Sequence, residues 1–133
     1  MSHLVEAAGA IALDEHARLL VVRRGNPPGR GLWSLPGGRT QPGEDPRTCV
    51  VREVREETGL VVDVIRLVGT LRRPFGEGEY LIHDYLVEVR GGELRAGDDA
   101  ADVTWMGRAA FQAAGTTEGL LEFLDEHGIH VTP

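Results

Sequence analysis

The sequence predicts an α/β fold in which a mixed β-sheet is flanked by helices. Three observations lead there. Apolar runs of strand length lie on both sides of one well-punctuated helix, a second helical pattern closes the chain, and no repeat, low-complexity stretch or linker divides it. At 133 residues the chain reads as one domain, residues 1–133, of a size that buries about two thirds of the surface its unfolded form exposes.

Val5 to Leu13 is small and apolar apart from Glu6 and reads as a strand. Asp14-Glu15-His16 makes a turn, and Arg18 to Arg24, centred on Leu19-Leu20-Val21-Val22, is a second strand expected to form a hairpin with the first. Residues 25–31 are Gly, Pro, Asn and Arg, the composition of a loop. Trp33-Ser34-Leu35 is a short extended piece that Pro36-Gly37-Gly38 should end. A helix starts after Asp45, which can cap it; Pro46 suits the first helical position and Gly59 follows the last turn as a stop. Val50, Val51 and Val54 share one face of that helix, so it packs by its valines and shows its carboxylates to a cleft. Leu60 to Leu71 and Tyr80 to Val89 are β-rich runs separated by a loop over Arg73 to Gly78, and Gly91-Gly92 breaks the second run. Val103 to Met106 is a short strand, and Thr117 to His127, apolar at Leu120, Leu121, Phe123 and Leu124, is a terminal helix.

Composition narrows the function. Fourteen Lys+Arg against 21 Asp+Glu give a net charge of −7, which argues against duplex nucleic acid as a partner. Every basic side chain is arginine, and a GC-rich coding bias accounts for that as well as a phosphate-binding role does. No apolar run approaches the roughly 18 residues of a membrane span, and the N-terminus lacks the layout of a signal peptide, so a cytoplasmic protein with no membrane partner is expected. Cys49 is the only cysteine; no internal disulfide can form, and a packed side chain is expected there rather than a nucleophile.

The chemistry is concentrated between Gly38 and Leu60. Glu53, Glu56 and Glu57 occupy one helical neighbourhood, where like charges repel. Most such clusters are solvated helix faces. A hard divalent cation, Mg²⁺ or Mn²⁺, would turn the repulsion into coordination. The full spacing is Gly38, five residues, Glu44, seven residues, then Arg52-Glu53-Val54-Arg55-Glu56-Glu57-Thr58-Gly59-Leu60. It fills every defined position of the pattern that marks the Nudix hydrolases, a match far more specific than a lone glycine-rich loop. The flanks, Arg24 to Gly38 and Gly97 to Trp105, resemble small bacterial members grouped as ADP-ribose pyrophosphatase-like, and the similarity spans roughly residues 5 to 125.

The resemblance implies a Nudix-type α/β/α sandwich with a central mixed β-sheet. It implies that Glu53, Glu56 and Glu57 ligate Mg²⁺, that Arg52 orients them by ion pairing, and that Gly38 bends its loop so that its backbone can approach the metal or the phosphate. Glu44 would hold the loop or a water on the metal. The general base is left between Glu53 and Asp99. Asp98-Asp99 stands where many relatives have Asp-Glu, so Asp99 is the expected further ligand or base, one methylene shorter than usual, against the alternative of a solvated aspartate turn with Asp102.

Trp33 and Trp105 could stack on a base or simply pack, and Arg23, Arg24, Arg30, Arg72 and Arg73 are candidates for phosphate or ribose contacts. His83 has no partner His or Cys at ligand spacing and is expected to be a packed or edge residue. The activity implied is Mg²⁺-dependent pyrophosphohydrolysis of a nucleoside diphosphate linked to another moiety, with ADP-ribose, cleaved to AMP and ribose 5-phosphate, as first choice. A triphosphate pyrophosphatase clearing oxidised or non-standard nucleotides is the alternative. A non-catalytic nucleotide sensor is a third, disfavoured because Arg52, Glu53, Glu56 and Glu57 are all retained. Relatives are often dimers, so the resemblance leaves room for a homodimer, which the sequence itself does not decide.

Overall fold

The computed structural model describes residues 4–26, 30–97, 100–116 and 119–133. In chain order the elements are β1 (Leu4–Ile11), β2 (Leu19–Arg24), β3 (Trp33–Ser34), β4 (Gly37–Arg39), α1 (Pro46–Thr58), β5 (Leu60–Phe75), β6 (Gly78–Gly92), β7 (Ala100–Met106), α2 (Arg108–Ala113) and α3 (Leu120–Glu126). They form a four-stranded sheet of order β4-β1-β6-β5 and a three-stranded sheet of order β3-β2-β7. The larger sheet is mixed, because β1 runs parallel to β6 while its other pairs are antiparallel. The α/β class and the mixed sheet are as expected; the second sheet was not foreseen.

Two apolar clusters explain the layering. On one face of the larger sheet, Ala8 and Ala10 of β1 and Tyr85 and Val87 of β6 pack against Val50 and Val54 of α1. Alanines on β1 leave room for the helix to approach closely. The other cluster joins Ile11, Leu19 and Val21 to Phe111, Phe123 and Leu124 from the C-terminal helices.

The β1–β2 hairpin is therefore only partly formed. Leu13 and Leu19 make one antiparallel bridge and the Leu20 N–H donates to the Ala12 carbonyl at 2.9 Å, after which the strands part into different sheets. All of Leu19 to Val22 is buried, Leu20 on the helix side and Leu19 and Val21 on the other, which a solvent-faced hairpin would not achieve. The expected loop over Arg73 to Gly78 shrinks to a turn, since β5 runs to Phe75, β6 starts at Gly78 and Arg73 pairs with Tyr80. Gly76, at φ 50°, supplies the backbone geometry that so tight a reversal needs. Gly37 and Gly38 do not end an extended segment but open β4, which pairs with Ala8 and Gly9 of β1. The helix α2 had no signal in the sequence: it buries one side chain, Phe111, and is too short to show a period. Among the described residues no helix is long and apolar enough to cross a membrane.

Candidate active site

The site is built on α1, and its caps fix the phase of the helix. The Asp45 carboxylate accepts from the Thr48 N–H at 2.8 Å, Pro46 opens the first turn, and Gly59 closes the last at φ 77° with its N–H on the Arg55 carbonyl. With Cys49, Val50, Val54 and Thr58 buried, Glu53 and Glu57 are turned toward β4 and Glu56 toward solvent. Burial pushes the Cys49 thiol up to about 12, and its Sγ lies against the Gly38 carbonyl at 3.5 Å, so it behaves as a packed neutral side chain.

Arg52 organises the carboxylates. Its Nε and Nη2 hold Glu44 at 2.7 and 2.8 Å in a bidentate pair, and Nη1 reaches Glu53 at 2.9 Å and Glu56 at 3.1 Å. Nη2 also donates to the Arg39 carbonyl at 3.2 Å, which ties the helix to the end of β4. The Arg52 and Glu44 side chains keep only 22% and 10% of their exposure, so this pair is less screened than a surface bridge. Hydrogen bonds from Arg52, and then from the Gln41 N–H, hold the Glu44 carboxyl down at about 2. Glu44 is thus both the anchor of Arg52 and, through Gln41, a clamp on the loop before the helix.

Glu57 is half-buried. The Gly37 N–H donates to its Oε1 at 2.9 Å. Burial raises its proton affinity, the Gly37 hydrogen bond opposes this, and the nearby Glu53 charge raises it further. Gly38 has no unusual φ, contrary to the expected bend; it is a strand residue whose missing side chain is the point. A methyl there would lie 2.6 to 2.8 Å from the Glu53 carboxylate atoms, so only glycine lets that carboxylate rest on the β4 backbone. The result is a cleft of about 280 Å³ bounded by Arg24, Leu35, Gly38, Glu53, Glu56 and Glu57.

The donor set suits a hard divalent cation. Two half-buried carboxylates, Glu53 and Glu57, are pressed together where a proton or a cation must relieve their repulsion, and all the ligand atoms are oxygen. Among the described residues no three acidic, His or Cys side chains converge as a finished cation cage, because Arg52 engages Glu53 and Glu56 and Gly37 engages Glu57.

The structure brings Gly38, Glu44, Arg52, Glu53, Glu56 and Glu57 together, while Asp98 and Asp99 lie outside the described residues. Asp102 pairs across from Arg23 and accepts from the Val103 N–H at 2.8 Å. Arg23 and Arg24 border the cleft, whereas Arg72 pairs with Glu79 on the β5–β6 hairpin and Arg30 is exposed. Trp33 and Trp105 both pack against the apolar clusters, with Arg23 stacked 5.9 Å from the Trp33 ring. His83 sits at a sheet surface between Thr70 and Glu6, at 3.3 and 3.2 Å. Sequence reading passed over Asp84. Its signal was there: a carboxylate inside the apolar run Leu81 to Val87.

Comparison with known proteins gives the family and the fold. The model of the NUDIX domain family matches residues 3–126. An ADP-ribose pyrophosphatase of Methanocaldococcus jannaschii is 38% identical over 92 residues, which cover 68% of this chain and 54% of that protein. A Bacillus subtilis protein provisionally named an 8-oxo-dGTP diphosphatase is 35% identical over 102 residues, 76% of this chain and 65% of its own length. This chain therefore spans between about half and two thirds of those relatives. Among solved structures, the MutT protein of Methanosarcina mazei superposes with a TM-score of 0.83 at 21% identity, over 96% of this chain and 94% of its own. By its motif, its fold and these matches, the chain belongs to the Nudix family.

Proposed function

We propose that this protein is a Mg²⁺-dependent pyrophosphohydrolase acting on a nucleoside diphosphate linked to a second moiety, and that ADP-ribose, giving AMP and ribose 5-phosphate, is the substrate. The observation that carries the reading is the Arg52 clamp, which sets Glu53 and Glu56 beside the half-buried Glu57 at one cleft wall. A protein that only bound nucleotides would have no use for it. The relative from M. jannaschii supports ADP-ribose as the choice.

The cation, held by Glu53, Glu56 and Glu57, would neutralise the diphosphate and polarise the bond to be broken. The protein's own groups do the rest. Arg24, on the cleft wall, faces the anionic substrate. Glu53, fixed by Arg52 and rested on Gly38, accepts a proton as water forms its bond to phosphorus and the bridging oxygen departs with the other phosphate. Asp99 is the second candidate for that proton. Mn²⁺ is expected to substitute for Mg²⁺.

A panel with Mg²⁺, covering ADP-ribose, other sugar nucleotides, dinucleoside polyphosphates and triphosphates, tests the reading by its products. AMP with ribose 5-phosphate is the expected outcome. A monophosphate with inorganic pyrophosphate from triphosphates alone would transfer the assignment to the alternative that the B. subtilis relative favours.

A further inference from the structure

At one level of the four-stranded sheet the register runs Gly37, Gly9, Asp84, Gly69 across β4, β1, β6 and β5. Three strands contribute no side chain, and the fourth contributes a carboxylate. It points away from α1: the neighbouring Tyr85 packs with α1, whereas Leu86 joins the cluster on the opposite face. A methyl at Gly9 would collide with Asp84 Oδ1 and would lie 3.8 Å from Leu35 Cδ1. A methyl at Gly69 would lie 3.0 Å from His127 Nε2 and from the Phe123 ring. The glycines therefore make room for these groups: the Asp84 carboxylate lies over Gly9 next to Leu35, and the stacked Phe123 and His127, whose centroids are 4.3 Å apart, lie over Gly69.

Asp84 is 3% exposed, yet among the described residues its carboxylate makes no hydrogen bond. Burial pushes this carboxyl up to about 7, with the charges of Arg73 and His127 opposing the rise. A carboxylate held like this costs stability and gives the fold nothing in return. Buried acceptors of that kind are what a site needs if its ligand brings the donors.

Through Leu35 and Gly37 this row adjoins the candidate active site. Leu35 lines the cleft that holds Glu53 and Glu57, and Gly37 at the start of the row carries the N–H that holds Glu57. Strands lie about 4.8 Å apart, so Asp84 is roughly 10 Å from Gly37, the reach of one nucleoside from its phosphate to the edge of its base. Leu35, Phe123 and His127 around the carboxylate suit the faces of a heterocycle better than a sugar.

We propose that Asp84 is a specificity-determining residue that reads the substrate's base by accepting hydrogen bonds from an amino-bearing purine edge. The proposal rests on the pyrophosphohydrolase reading for its substrate class, and ADP-ribose would supply the 6-amino group of adenine. Guanine, with an N–H beside its amine, offers the same chemistry.

The test is direct binding, which needs no turnover. AMP, GMP and the 5′-monophosphate of unsubstituted purine riboside are titrated by calorimetry into the wild type, Asp84→Asn and Asp84→Leu. The wild type is expected to bind an amino-bearing purine about tenfold more tightly than unsubstituted purine. Asp84→Leu should abolish that gap, and Asp84→Asn, equal in size to the native residue and so a guard against loss of fold, should narrow it. A gap for GMP but not AMP would keep Asp84 in its role while removing ADP-ribose as the substrate. Equal affinity of the wild type for all three, or a gap unchanged in both variants, overturns the assignment. A merely structural Asp84 would move all three affinities together.

Discussion

Glu57 is the carboxylate whose loss should be felt most, because it is half-buried, hydrogen-bonded to Gly37 and set beside Glu53. Glu57→Gln keeps size and hydrogen bonding but removes charge. It should lower kcat by about 100-fold, on the order of 3 kcal/mol of transition-state stabilisation, with an unchanged far-UV spectrum. Wild-type rates in that variant would return Glu57 to the status of an ordinary helix residue. Glu44 acts at one remove, through Arg52. Glu44→Gln leaves Arg52 with a weaker anchor, and a fall in kcat of about tenfold with little change in KM is expected. Steady-state kinetics that moved KM alone would contradict the anchoring role. The motif made these residues legible in the sequence because it records spacing on one helix. Two things lay beyond it: that Glu44 grips Arg52 bidentately besides holding the loop, and that the bare Gly38 leaves room for the Glu53 carboxylate. Both depend on contacts between segments that spacing does not encode.

At the scale of elements, α1 was readable to the residue because its signals are local. Asp45, Pro46 and Gly59 act within one turn of themselves, and the structure places the helix between them. Asp45→Ala removes the hydrogen bond to the Thr48 N–H and should cost about 1 kcal/mol in chemical denaturation. Because that cap also sets the phase of Glu53 and Glu57, activity should fall further than the stability loss alone would produce when assayed well below the unfolding midpoint. Activity that simply followed the folded fraction would separate the cap from the site. The strands were legible as elements but less so in their partners. The split of β1 and β2 into two sheets follows from the burial of both faces of Leu19 to Val22, which depends on helices some 90 to 100 residues further along the chain. The extension of β5 and β6 into the expected loop follows from pairing of Arg72 and Arg73 with Leu81 and Tyr80, which local composition disguised.

For the whole molecule, the site's chemistry and the fold's stability meet at Asp84. Its carboxyl has an ordinary value of 3.8 in the unfolded chain and about 7 in the folded protein, chiefly because of burial. Below about pH 4 the group is neutral in both states and contributes nothing to stability. As pH rises toward 7, the unfolded chain releases this proton while the folded protein retains it, so stability falls with pH across that window. The difference corresponds to on the order of 4 kcal/mol lost by pH 7, after which the contribution is level. The charges of Arg73 and then of His127, whose Nδ1 contacts the Phe123 carbonyl at 2.8 Å, oppose the rise. Asp84→Asn removes the titration without changing size. Its stability relative to the wild type should be close to equal near pH 4 and should pull ahead progressively up to pH 7 to 8, measured by urea unfolding at a series of pH values. An advantage independent of pH would mean that the carboxyl keeps its ordinary affinity for protons and that its surroundings are wetter than the packing around Gly9, Leu35 and Phe123 implies. The expected slope instead identifies a carboxylate that the fold holds at a cost, which is the condition for a residue retained to meet a ligand.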